Sequence, residues 1–140
     1  MTMKHKQTKE IKNHLEFIGY AVEDEEAEND KIDIFYAKSE TKSTITFRVL
    51  NDTMTLLSAR WNGLDKKALK SKEFFADINL INKAALYTKW YFDDSGDDLT
   101  LVIETLYYGY EKLSFGNLVE VFEVEINQNL AKFNAFAIES

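Results

Sequence analysis

The residues best suited to chemistry are the hexad Asp93-Asp94-Ser95-Gly96-Asp97-Asp98, because clustered carboxylates attract calcium. A calcium loop of the EF type needs oxygen ligands at alternate positions, a glycine at the sixth position and a late bidentate glutamate. Here the glycine is fourth, so the hexad reads as a hairpin turn, where Asp, Ser and Gly are favoured for independent reasons. His5 and His14 are the only histidines. Neither belongs to a nucleophile motif, and no HExxH pattern is present. His14 shares a helix turn with Glu10, which is half of a metal site with no further ligands nearby, so it reads as a solvated surface histidine. His5 falls in a stretch expected to fray. The chain has no cysteine, and therefore no thiolate nucleophile, disulfide or Cys-based zinc site. Neither GxxxxGK nor GxGxxG occurs, and nothing singles out a carboxylate pair such as Asp77 and Glu104. No catalytic residue, cofactor site or metal site is expected.

The other conspicuous group is aromatic: Trp90, Tyr91, Phe92, Tyr107, Tyr108 and Tyr110. Several must face outward if their strand neighbours face inward, and exposed Tyr and Trp are typical anchors of protein-binding surfaces. Trp90, Tyr91, Tyr107 and Tyr108, with Asp93, Asp94, Asp97 and Asp98, are the expected protein-binding residues.

Positioning these residues is the task of the surrounding elements. Ile11, Leu15 and Ile18 recur at helical spacing over 8–18, with Phe17 widening the stripe and Gly19 suited to the C′ position. The acidic run over 23–30 reads as an exposed loop or bend, since its like charges cannot pack together. Three strands follow, over 32–37, 44–49 and 53–61. The second alternates strictly, with Ile45, Phe47 and Val49 inward. Two faces compete in the third, and Leu57, Ala59 and Trp61 are favoured for the core. Their short connections imply an antiparallel meander.

Around Asp65 or Ser71 the period changes to helical, and Phe74, Phe75, Ile78 and Ile81 line one side of a helix ending near Lys83. The local lysines Lys66, Lys67, Lys70 and Lys72 read as a solvated helix start. Strands over 85–92 and 99–107 form a hairpin around the acidic hexad. Ser114 is the expected cap of a last helix, in which Leu118, Phe122, Ile126, Leu130, Phe133 and Ala137 keep a nearly constant rhythm. From Leu118 to Ala137 it would run roughly 30 Å, and Val119, Val121 and Val124 widen its apolar arc towards a second subunit.

The expected fold class is therefore α+β, an antiparallel sheet with helices in the order α-β-β-β-α-β-β-α. With no repeat, low-complexity tract or Pro/Ser-rich linker, residues 1–140 are expected to form one domain. The 45% hydrophobic content excludes global disorder. Residues 1–83 balance to zero charge, so the whole net −7 falls in the second part. An acidic chain repels phosphate backbones, which argues against nucleic acid as partner. No signal-peptide h-region or membrane-length apolar run is seen, so a cytoplasmic protein without a membrane partner is expected.

Ile78-Asn79-Leu80-Ile81-Asn82, the aromatic hairpin through Asp93–Asp98, and Leu113-Ser114 opening a long terminal helix together resemble the YbjN-like family of bacterial sensory transduction regulators. Asn82 looks like that family's asparagine before the hairpin, and Ser114 like the serine that starts its last helix. The resemblance covers about residues 65–138. It implies a type III secretion chaperone-like fold, in which dimers are common, and it carries no catalytic residues across. The proline and glycine that such sequences often place before the middle helix are missing here.

The expected function is a non-enzymatic, chaperone-like or regulatory protein, homodimeric, that binds a polypeptide. Two alternatives stand beside it: an acidic immunity-type inhibitor of a basic protein, and a small-ligand binder or enzyme whose site would appear as a deep pocket.

Overall fold

Helix α1 spans Lys6–Phe17 and buries Ile11 and Leu15, four residues apart on one face, with Thr8 beside them. Phe17 is two residues beyond Leu15, about 200° around a helix, and is 83% exposed instead of widening the stripe. Gly19, at φ +103°, ends the helix. Its N–H donates to Glu16 O and the Tyr20 N–H to Leu15 O, a pair of bonds that only a left-handed residue lets close without strain. This computed structural model describes residues 3–26 and 29–138.

Six strands form one antiparallel sheet: β1 Ala21–Glu25, β2 Asp33–Lys38, β3 Ile45–Val49, β4 Met54–Leu64, β5 Lys89–Asp93 and β6 Leu99–Tyr108. Their spatial order is β1-β2-β3-β4-β6-β5. The expected α+β order is present, with β1 as one additional strand between α1 and the three-stranded meander. The acidic run was expected to stay out of the sheet, but its first residues pair with β2. An edge strand does not have to bury its charges, and charges there discourage further pairing. Glu23 meets Lys38 at 2.6 Å, and Asp24 meets Lys12 of α1 at 2.5 Å. Residues 27 and 28 of that run lie outside the described residues.

Helix α2 spans Lys72–Ala84, after a 3-10 segment at Lys66–Lys70, and buries Phe74 and Ile81, while Phe75 is exposed. Helix α3 runs over Lys112–Leu130 and then tightens into a 3-10 segment, Ala131–Phe136, so the α-helix is shorter than its apolar pattern suggested. Its cap is Glu111, not Ser114. The Glu111 carboxylate accepts from Leu113 N at 3.1 Å and Ser114 N at 2.7 Å. The Ser114 hydroxyl is engaged elsewhere, 2.8 Å from the Tyr107 hydroxyl.

Strand alternation divides the sheet into two faces. Phe35, Phe47, Leu57, Ile103 and Trp90 point to one face and join Leu15, Phe74, Phe115 and Phe122 of the three helices in one core. The alternate residues, among them Tyr36, Arg48, Leu56, Tyr91, Leu106 and Tyr108, point to the outer face. Among the described residues, no helix is long and apolar enough to cross a membrane.

Candidate functional site

The expected anchor residues divide between these two faces. Trp90 is only 1% exposed, and Tyr107 is also buried, so neither is a surface anchor. Trp90 lies opposite Ile103, whose side faces the helices. Its ring stacks on Phe133 at 6.2 Å between centroids, and its indole N–H donates to Thr88 Oγ1 at 2.9 Å. Asn82 at the end of α2 clamps this strand, donating to Trp90 O and accepting from Trp90 N, both at 2.8 Å. The Tyr107 hydroxyl accepts from Glu111 N at 2.9 Å and thereby fixes the entry to α3.

Tyr91 and Tyr108 do face outward. Lys89 Nζ lies over the Tyr91 ring, 5.2 Å from its centroid. Burial, followed by a hydrogen bond to Glu104, raises the Tyr91 hydroxyl above the usual tyrosine pKa. Tyr108 is 67% exposed, opposite Met54. Tyr91 aligns with Val102, so about six residues of β6, roughly 20 Å, separate the two tyrosines. They mark two ends of the outer face and form no single cluster.

The acidic hexad is a turn with one committed member. Asp93 accepts from Ser95 Oγ at 2.7 Å and Ser95 N at 3.0 Å, and pairs with Arg60 at 2.8 Å. Those bonds, the serine's first, hold its carboxyl well below the usual range. Asp94, Asp97 and Asp98 remain exposed at the tip. No group of three or more His, Asp or Glu suited to a metal ion occurs among the described residues.

Both histidines are more engaged than expected. His5 is bonded to Asp52 at 2.8 Å and to the carbonyl of Lys31, so it is not frayed. His14 is not a solvated surface residue: it shares a 2.9 Å hydrogen bond with the Tyr110 hydroxyl and packs edge-on against Phe115. The ring lies over Gly116 of α3, where a Cβ would stand 3.4 Å from the ring's Nε2, an ordinary packing distance. Burial first, then the Lys112 cation, lowers the His14 pKa from 6.5. A histidine lowered on folding contributes stability that is complete above the unfolded pKa and is lost as pH falls through the folded value. Wild type should therefore lose more urea stability than His14→Gln between about pH 7.5 and about pH 5.5. Equal losses would remove His14 from the acid response.

Two open grooves went unseen in the sequence. One, of about 350 Å³, lies between α1 and the start of α3, with His14, Phe17 and Tyr110 on its walls. The other, of about 450 Å³, runs between the end of β6 and α3, bounded by Tyr87, Leu106, Tyr108, Leu118 and Val121. Groove formation needs the ends of distant elements to fall short of one another, which no local pattern records.

No protein-family model matches the chain, and no curated protein matches it significantly. Solved structures do. The crystal structure of YbjN from E. coli, a proposed transcription regulator, superposes with a TM-score of 0.66 at 20% identity, covering 91% of each chain. An uncharacterized protein from Methanothermobacter thermautotrophicus gives a TM-score of 0.67 at 14% identity, covering 94% of this chain and 99% of that one. The fold is YbjN-like. At these identities the likeness extends to the architecture, and the YbjN-like fold by itself assigns no partner and no reaction.

Proposed function

We propose that this protein is a non-enzymatic, protein-binding regulatory or chaperone-like molecule acting as a homodimer in the cytoplasm. The observation that carries this reading is the collection of large apolar side chains left in water around the outer end of β6: Leu86, Tyr87, Leu106 and Tyr108 are 86%, 55%, 45% and 67% exposed. Aromatic side chains of this kind bring large contact area at little entropic cost. YbjN, whose fold this chain shares, is itself a proposed transcription regulator, which supports the regulatory part of this reading.

Affinity purification from the native host tests it. Wild-type protein should retain a specific polypeptide, and Tyr87→Ala/Tyr108→Ala should retain at least about tenfold less while melting within a few degrees of wild type. A wild-type protein that is monomeric and retains nothing specific would sink the proposal. The exposed Asp94, Asp97 and Asp98 favour a second version, inhibition of a basic protein. In that case Asp94→Asn/Asp97→Asn/Asp98→Asn slows association, and the slowing disappears at high salt.

A further inference from the structure

Strand β6 is longer than its edge partner. β4 accompanies it to Tyr108, whereas β5 begins at Lys89, opposite Glu104. Among the described residues, 105–108 therefore have a strand neighbour on one side only. Hydrogen bonds to one neighbour come from alternate residues of an antiparallel strand. The bond from Gly109 N to Thr53 O, at 2.7 Å, assigns the odd-numbered positions to β4. Leu106 and Tyr108 thus aim their N–H and C=O groups at the vacant side, and among the described residues no backbone bond reaches them there.

The vacancy has a local cause. Glu125 of α3 accepts from Leu86 N at 3.2 Å and from the Thr88 hydroxyl, which draws the segment before β5 onto the helix and away from β6. The space left is the groove of about 450 Å³, with Leu118 and Val121 of α3 as its apolar wall and Tyr87 at its side.

We propose that this groove takes an extended polypeptide segment that continues the line of β5 and completes the sheet beside Leu106 and Tyr108. An unpaired row of donors and acceptors is a template for an added strand. The segment's bonding residues face outward beside Leu106 and Tyr108. Its alternate residues face α3, so they are apolar, and the bonding positions exclude proline. The net charge of −7 favours basic flanks. This site rests on the protein-binding reading above and gives it an address.

The probe is a fluorescein-labelled heptapeptide, Lys-Val-Thr-Val-Thr-Val-Lys, with its valines for the α3 wall and its threonines for the bonding positions. Saturable anisotropy should be seen, and binding should weaken at least about tenfold when the threonines are N-methylated or when the protein carries Val121→Arg. Amide exchange at Leu106 and Tyr108 should slow on binding. No binding, equal binding of the N-methylated peptide, or unchanged exchange at those two amides overturns the site. Protection of the same amides in the protein alone that grows with its concentration would assign the edge to a second copy and also overturn it. If wild type and Val121→Arg capture the same host polypeptide equally, the groove fails and the protein-binding reading survives. If the heptapeptide binds but nothing is captured from the host, the groove stands without that reading.

Discussion

Trp90→Ala is expected to cost about 3–5 kcal/mol of folding stability, against less than about 1 kcal/mol for Tyr91→Ala at the next position. The ring of Trp90 is 1% exposed and stacked on Phe133, and its N–H is satisfied by Thr88. Truncation leaves a cavity where β5, α2 and the last 3-10 segment meet, and it leaves the Thr88 hydroxyl without that donor. Tyr91 points the other way and is 36% exposed, so its loss opens nothing. A domain's whole stability is about 5–15 kcal/mol, so Trp90→Ala brings the protein near the unfolding threshold. Urea titration measures both variants, with the remaining Trp61 as the fluorescence reporter. Equal midpoints for the two would mean that β5 presents its other face to the core.

That contrast shows why the hairpin was only half legible in the sequence. Trp90, Tyr91 and Phe92 are aromatic at both phases of a two-residue period, so alternation alone cannot choose the inward side. The choice comes from pairing Trp90 with Ile103, a contact thirteen residues away in the chain. Where apolar residues occupy one phase only, as at Ile45, Phe47 and Val49, the pattern was sufficient, and all three are buried. The last helix misled for a related reason. A repeat of four drifts around a helix of 3.6 residues per turn. Phe122, Ile126 and Phe133 of the expected stripe are buried, but Phe115 and Val119 complete the buried face in steps of three and four, while Leu118 and Leu130 fall at the margins. β1 was hidden by its charge, because composition reports whether a segment can be buried and not whether its backbone can pair. The groove beside β6 depends on the relative lengths of β4, β5 and β6, which appear only once their registers are known.

Asp33 gives the second large expected effect, and it explains the broken alternation at the start of β2. Its carboxylate is 5% exposed on the core side of the sheet, at the beginning of α1. It accepts from Lys4 N at 2.9 Å, His5 N at 3.1 Å and the Thr8 hydroxyl at 2.7 Å. The N-cap residue His5 makes no side-chain cap of its own, so a strand residue far along the chain performs that work. A negative charge there also suits the positive end of the helix dipole. Asp33→Ala leaves these donors facing an apolar methyl and should cost about 2–4 kcal/mol, with Asp33→Asn intermediate because one acceptor oxygen remains. The loss should be local before it is global: amide exchange in α1 should accelerate well ahead of β3 and β4, since the sheet keeps its own ladder. A double-mutant cycle with Thr8→Val separates the cap from general disruption, because removing the hydroxyl should cost little once the carboxylate is gone. Additive losses, or α1 amides that exchange no faster in Asp33→Ala than in wild type, would show that α1 is held by Ile11 and Leu15 alone.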